Sequence, residues 1–361
     1  MRIGIDISSV VFGTGVSRYT ANLTRTLVAH NPAETFTLYG GSLRQKEALK
    51  TFVKSVGGHP RVKLSFFSPT LSSLIFNGIH LPIEMMTGKL DVFHSWDWYT
   101  PATKYAALVT TVHDLSALKF PSQTHPAIVA HHRQSLKWIK AEAKAIIAVS
   151  QSTKQDLIDL VGIPAKRITV IHEALPSEQL INPPTAAISA IKEAYGLSKP
   201  YFMIVGSQEP RKNIPRMIKA FSSYAKTHQL LIVGKTGYGS FKKPGFVATT
   251  GYLTAQALAC LYRGAEGLLY ASLYEGFGLP VLEAFYHQIP VVASNTGALP
   301  EVAGTAVSYC VPTDVDSISQ AIDDAIKHKD QLIAHGTKRL QSFSWETIAR
   351  ETMRVYESVA K

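Results

Sequence analysis

The sequence predicts an α/β protein of two Rossmann-like domains. Three observations carry this: short apolar runs alternate with amphipathic helical stretches, the alternation occurs twice, and a proline-rich connector separates the two series. A chain of 361 residues also exceeds the usual size of one hydrophobic core, so two domains of roughly 150 to 200 residues are expected. In the first series, residues 3–7, 109–112, 146–149 and 168–171 are short and mostly apolar, as strands of a parallel sheet covered on both faces are. Residues 16–27 and 152–160 have helical spacing. The second series begins after Pro200, with strands expected over 202–205, 230–233, 267–270 and 291–293. Between the two, Ile181-Asn182-Pro183-Pro184-Thr185 has the composition of a linker, and a helix over 186–195 stops near Gly196. The boundary is therefore placed near 180, giving domains 1–180 and 181–340 and a terminal segment 341–361 with an amphipathic helix over 345–359.

Composition narrows the function classes. A hydrophobic content of 46% supports globular packing, and the two cysteines, Cys260 and Cys310, form neither a disulfide framework nor a metal spacing. A reducing, cytoplasmic compartment is expected. Asp6 interrupts the first apolar run, so no secretory signal is read. The most lipid-like stretch, residues 64–86, is broken by Pro69, Asn77, His80, Pro82 and Glu84 and does not reach the roughly 18 apolar residues of a span. The net charge of +11 is uneven: residues 1–175 hold 19 lysines and arginines against 11 acids, a net of +8. This bias fits either an anionic partner, such as peripheral contact with the inner face of a membrane or a diphosphate-linked acceptor, or a merely solvated basic surface. Nucleic acid is not expected, because no recognition-helix, zinc or RNA-binding signature accompanies the charge.

The densest motif is Tyr274-Glu275-Gly276-Phe277-Gly278-Leu279-Pro280-Val281-Leu282-Glu283. Its glycines leave the backbone open to a ligand, and Pro280 suits the first turn of a helix whose start favours an anion. Glu275 in the loop can accept hydrogen bonds from hydroxyls, and Glu283 lies about a turn inside the helix, able to face the same ligand. Arg211 and Lys212 follow a strand and Gly206, where they suit a phosphate, the alternative being a solvated basic pair. Gly13-Thr14-Gly15 follows the first strand, so the backbone of Gly15 and Val16 could approach a diphosphate; a tight turn explains the glycines as well. As a dinucleotide fingerprint this loop fails, because Arg18 takes the third glycine position. His113 ends a strand, where α/β proteins bind ligands, and Asp114 suits a turn or cap. Gly234-Lys235-Thr236 imitates a Walker ending, but Gln229 replaces the required glycine. His125, His131 and His132 lack ligand spacing and are expected on a helix surface. No Asp-x-Asp pair that would hold a metal diphosphate is identified, and no metal or cofactor is expected.

The Glu275 to Glu283 stretch resembles the signature of the retaining glycosyltransferases of family four, which have the GT-B fold. Val205-Gly206-Ser207-Gln208-Glu209-Pro210-Arg211-Lys212-Asn213 resembles the family's diphosphate-binding turn, with Ser207 where many relatives have arginine. Ser294-Asn295-Thr296-Gly297-Ala298-Leu299-Pro300-Glu301-Val302 resembles its next loop, Val112-His113-Asp114 its His-Asp pair, and Phe343-Ser344-Trp345-Glu346 the opening of its last helix. The match covers essentially the whole chain. It implies two domains facing across a cleft, a last helix crossing back to the first, and retaining transfer from a nucleoside-diphosphate sugar. It further implies Arg211 and Lys212 on the diphosphate in place of a metal, Glu275 on the donor sugar and Glu283 on the ribose. Backbone N–H groups of Phe277, Gly278 and Leu279 would meet ligand oxygens, Lys235 the nucleotide, and His113 the donor–acceptor junction. The branch most resembled is mannosyltransferase-like, which points to GDP-mannose, with UDP-sugars open, and to a glycan or lipid-linked acceptor. The alternatives are a noncatalytic sugar-nucleotide-binding subunit, or a UDP-sugar epimerase or synthase of the same fold.

Overall fold

The computed structural model describes residues 1–235 and 243–360. The chain forms two compact units, one of Met1–Ala174 with Ser344–Lys361, the other of Leu175–Phe343. Each is a parallel sheet with helices packed against it.

Among the described residues, the first unit has seven strands: β1 (Arg2–Asp6), β2 (Thr35–Gly41), β3 (Arg61–Ser65), β4 (Val92–Trp96), β5 (Ala107–Val112), β6 (Ala145–Ala148) and β7 (Ile168–Val170). They pair in the order β3-β2-β1-β4-β5-β6-β7. The order reverses between β1 and β4, which makes the carboxyl ends around this point the natural ligand position of the unit. The second unit has β8 (Tyr201–Val205), β9 (Gln229–Val233), β10 (Val247–Gly251), β11 (Gly267–Tyr270), β12 (Val291–Ser294) and β13 (Ser308–Cys310), in the order β10-β9-β8-β11-β12-β13. Its order reverses between β8 and β11.

The eight strands expected from apolar runs all form, and five others complete the sheets for reasons their sequences hide. β4 reads as Val-Phe-His-Ser-Trp, yet it is wholly buried. His94 satisfies its ring nitrogens on the Tyr356 hydroxyl at 2.5 Å and Thr111 Oγ1 at 2.8 Å, and Ser95 Oγ meets Thr110 Oγ1 at 2.8 Å. Paired in this way, polar groups can occupy a buried strand without the cost of an unmade hydrogen bond. β3 is a half-exposed edge strand with charged residues, and β13 is only three residues long.

The helix Gly15–His30 begins at Thr14, whose hydroxyl accepts from Ser17 N while Ser17 Oγ accepts from Thr14 N, a reciprocal cap. The helix expected over 152–160 runs Gln151–Asp156 and widens into a π turn at Leu157–Val161. The final helix, Trp345–Val359, belongs to the first unit: Tyr356 reaches His94, and the Trp345 ring lies 5.6 Å from Tyr19 on Gly15–His30. The lipid-like stretch 64–86 is divided. Ile75, Phe76 and Ile83 enter the core, while Phe66, Leu71, Leu74, Ile79 and Met85 are exposed. No helix among the described residues is long and apolar enough to cross a membrane.

Candidate active site

In the second unit the loops after β8 and β11, the two strands at the reversal, meet. A Cβ at Gly234, after β9, would lie 2.0 Å from the Gly206 carbonyl oxygen, so only glycine lets the loops after β8 and β9 close at this point. Residues Pro210–Lys212 form a single turn, and Asn213, in the left-handed region at φ 61°, is tied by its amide to Ala271 O and Pro312 O. That anchoring aims the two cations at the loop after β11. Lys212 Nζ donates to Glu275 Oε1 at 2.6 Å and to the Tyr270 hydroxyl at 3.2 Å. Arg211 donates from Nη1 to Glu275 Oε2 at 3.1 Å and from Nε to Glu209 Oε2 at 2.9 Å.

The cluster is buried. Burial alone would raise the Glu275 carboxyl, but the charges of Lys212 and Arg211 outweigh it and bring it down to about 2. Burial pushes the Lys212 ammonium down, Glu275 opposes, and Arg211 adds to the fall. Around neutral pH Glu275 is therefore ionised, the counter-charge both cations require.

Gly278, at φ 114°, starts the helix Leu279–Tyr286, while the Phe277 ring is buried edge-on to Phe343 at 5.8 Å. Leu279 is half-buried at the helix start. Glu283 is buried on the same helix, and its Oε1 accepts from the Gln179 amide. Thus Gly206, Arg211, Lys212, Glu275 and the start of this helix gather at one strand reversal, with Glu283 a turn further along. Lys235 does not join the cations: its side chain is exposed, with Nζ 5.4 Å from the Tyr252 ring centre, although its carbonyl holds Gln208 N at 3.0 Å. Thr236 lies outside the described residues.

In the first unit His113 stands just past β5. Its Nδ1 meets Glu173 Oε1 at 2.8 Å, its backbone N–H is taken by Asp97 Oδ2 at 3.0 Å, and its ring lies edge-on to Tyr19 at 4.8 Å. Burial would lower its pKa, but the hydrogen bond and charge of Glu173, with Asp97 and Asp114 adding, raise it above the ordinary value. Asp114 makes a turn, accepting Ser116 N at 2.8 Å. Tyr19 belongs to the helix that Gly15 and Val16 open, so these two residues and His113 share one neighbourhood. The side of Gly15 is open: among the described residues, no atom beyond its chain neighbours and its own helix backbone lies within 4 Å of where a Cβ would stand.

Two expectations need correction. Asp314-Val315-Asp316 does have the Asp-x-Asp spacing, but Asp314 caps the helix Val315–Lys327 through Asp316 N at 3.0 Å. No group of three His, Cys, Asp or Glu residues among the described residues is arranged to hold a metal. The second correction concerns the histidines, which are not simply a surface cluster. His125 caps the helix Pro126–Glu142, and His131 is half-buried, bonded to Trp98 O at 2.6 Å and Ser73 Oγ at 3.1 Å.

Sequence reasoning missed Glu173, Gln179 and Tyr270, and gave Glu209 no role. Glu173 had one usable signal: it follows β7 at the same carboxyl end of the sheet as His113.

Two family models match the chain: "Glycosyltransferase Family 4" over residues 13–179 and "Glycosyl transferases group 1" over residues 188–339. The chain is 28% identical to O-antigen chain mannosyltransferase B of Escherichia coli, across 95% of this chain and 96% of that protein. Among solved structures, sucrose-phosphate synthase from Thermosynechococcus elongatus superposes with a TM-score of 0.69 at 18% identity, covering 99% of this chain and 98% of the other. Anabaena Alr3699/HepE in complex with UDP-glucose does so with a TM-score of 0.67 at 17% identity, covering 99% and 100%. With its two Rossmann-like units and a charged motif at the strand reversal of the second, the chain belongs to glycosyltransferase family 4 and is a glycosyltransferase of GT-B fold.

Proposed function

We propose that this glycosyltransferase moves mannose from GDP-mannose to a glycan or lipid-linked acceptor, with retention of configuration and without a metal ion. The observation that carries the reading is the pair of cations, Arg211 and Lys212, held together on Glu275 at the carboxyl end of β8 and β11. In the proposed reaction the acceptor oxygen bonds to the anomeric carbon on the face from which the diphosphate departs. The carbon–oxygen bond to the phosphate breaks, and the hydroxyl proton passes to a phosphate oxygen. Negative charge grows on the diphosphate, and cations fixed in a buried site stabilise it without reorganising.

Glu275 then accepts hydroxyls of the donor sugar, and Glu283 those of the ribose. The backbones of Gly206, Phe277, Gly278 and Leu279 meet ligand oxygens. Gly15, Val16 and His113 serve from the first unit, and Lys235 touches the nucleotide. The similarity to an O-antigen chain mannosyltransferase along nearly the full length supports mannose. The UDP-glucose complex of a protein with the same fold supports a nucleotide sugar and makes a UDP-sugar the second reading. A cytoplasmic enzyme with peripheral contact between its first unit and an anionic membrane belongs to the same proposal. A transfer screen across GDP- and UDP-sugars tests it: turnover of GDP-mannose is expected. Turnover of UDP-sugars alone would reassign the donor, and none from either would favour a noncatalytic binding subunit.

A further inference from the structure

We propose that Glu173 is a positioning residue that keeps His113 as a hydrogen-bond-donating cation, with Nε2–H reserved for an oxygen of the bound substrate. The inference rests on the site role given to His113 above, and it specifies the chemical form in which that residue works.

The geometry leaves the ring little freedom. A carboxylate only accepts, so the contact of 2.8 Å between Glu173 and His113 Nδ1 puts a proton on Nδ1. Glu173 is itself only 6% exposed, so its charge acts with little screening by water. Asp97 brings a second carboxylate to the His113 backbone N–H at 3.0 Å, and Asp114 follows directly in the chain. Thr153 Oγ1 holds the His113 carbonyl at 3.3 Å, while Tyr19 at 4.8 Å and Trp96 at 6.5 Å flank the ring. The other imidazole nearby, His94, has both nitrogens occupied by Tyr356 and Thr111, and burial pushes it down to about 3, so it stays neutral and adds no opposing charge.

His113 is therefore faced by Glu173, Asp97 and Asp114 as charged groups, and by Tyr19 and His94 as neutral ones. Against these acids the second proton, on Nε2, is favoured. Yet Nε2 is buried and has no hydrogen-bond partner among the described residues. A buried donor left unmade is costly, and such an atom in a native protein calls for an explanation. A substrate oxygen supplies it. As an imidazolium His113 has no lone pair to take a proton, so it serves as a donor to a sugar hydroxyl or phosphate oxygen and not as a base.

The test is an NMR titration of the His113 imidazole in the full chain without substrate, in the natural protein and in Glu173→Gln. Glutamine keeps size and one accepting oxygen but loses the charge. The natural protein is expected to titrate above the ordinary value of about 6.5, and the variant about one pH unit lower or more. The alkaline limb of the transfer rate is expected to move with it. Glu173→Asp keeps the charge and is expected to titrate closer to the natural protein than to Glu173→Gln. An unchanged midpoint in Glu173→Gln, or an aspartate variant that behaves like the glutamine one, would overturn the coupling. A shifted titration together with unaltered transfer by His113→Ala would instead remove His113 from the site.

Discussion

Each unit places a buried carboxylate against basic nitrogen, but the two arrangements are built differently. Glu275 answers two groups, Arg211, whose guanidinium charge is permanent, and Lys212, at 3.1 and 2.6 Å. Glu173 answers an imidazole, which can discard its proton, at 2.8 Å. The first arrangement is a fixed counter-charge: without Glu275, Arg211 and Lys212 lose the carboxylate they share, while Arg211 keeps Glu209 at 2.9 Å and Lys212 the Tyr270 hydroxyl at 3.2 Å. The second is adjustable, because losing the carboxylate lets His113 become neutral. Permanent charge suits the stabilisation of a departing diphosphate, and an adjustable one suits a hydrogen bond to a substrate oxygen.

The largest expected effect separates the pairs by stability. Glu275→Gln strands buried cations and is expected to cost about 3–5 kcal/mol. Glu173→Gln keeps an acceptor for a neutral imidazole and is expected to cost about 1 kcal/mol. Urea denaturation of both variants measures the difference, and equal losses would erase the contrast between fixed and adjustable charge.

A smaller effect concerns the surfaces. Residues 1–175 carry +8 of the net +11 and include the exposed Phe66, Leu71, Leu74, Ile79 and Met85. Lys46 Nζ sits 3.6 Å from the centre of the Phe66 ring, so apolar and basic groups are interleaved there. Flotation with vesicles is expected to show binding to anionic lipid at low salt and release as salt shortens the screening length to about 10 Å at 0.1 M. Binding indifferent to lipid charge would leave the basic residues as ordinary solvated surface.

The second unit was the more legible in sequence. Gly206, Arg211, Lys212, Glu275 and Gly278 sit in two short segments whose glycines, proline and charges mark loops that end in helical turns, and β8, β9, β11 and β12 are plain apolar runs. The first unit hid more. β4 carries His94 and Ser95 in a buried strand, legible only once Tyr356, Thr111 and Thr110 are seen to satisfy them. The partner of His113 lies 60 residues away at the end of another strand, a separation no local spacing encodes. Lys235 is a further case: its place after β9 is legible in sequence, but the neighbour of its exposed side chain, the Tyr252 ring 5.4 Å from Nζ, is not.

The central claim is that Arg211 and Lys212 carry the charge that grows on the leaving diphosphate. The most direct test is the turnover of GDP-mannose by the natural protein and by Lys212→Ala, both in EDTA, with circular dichroism to verify folding. The natural protein is expected to keep its full rate, and the variant to fall about 10²-fold. A natural protein that loses its rate in EDTA and regains it with manganese or magnesium, or a folded variant that turns over near normally, would contradict the account.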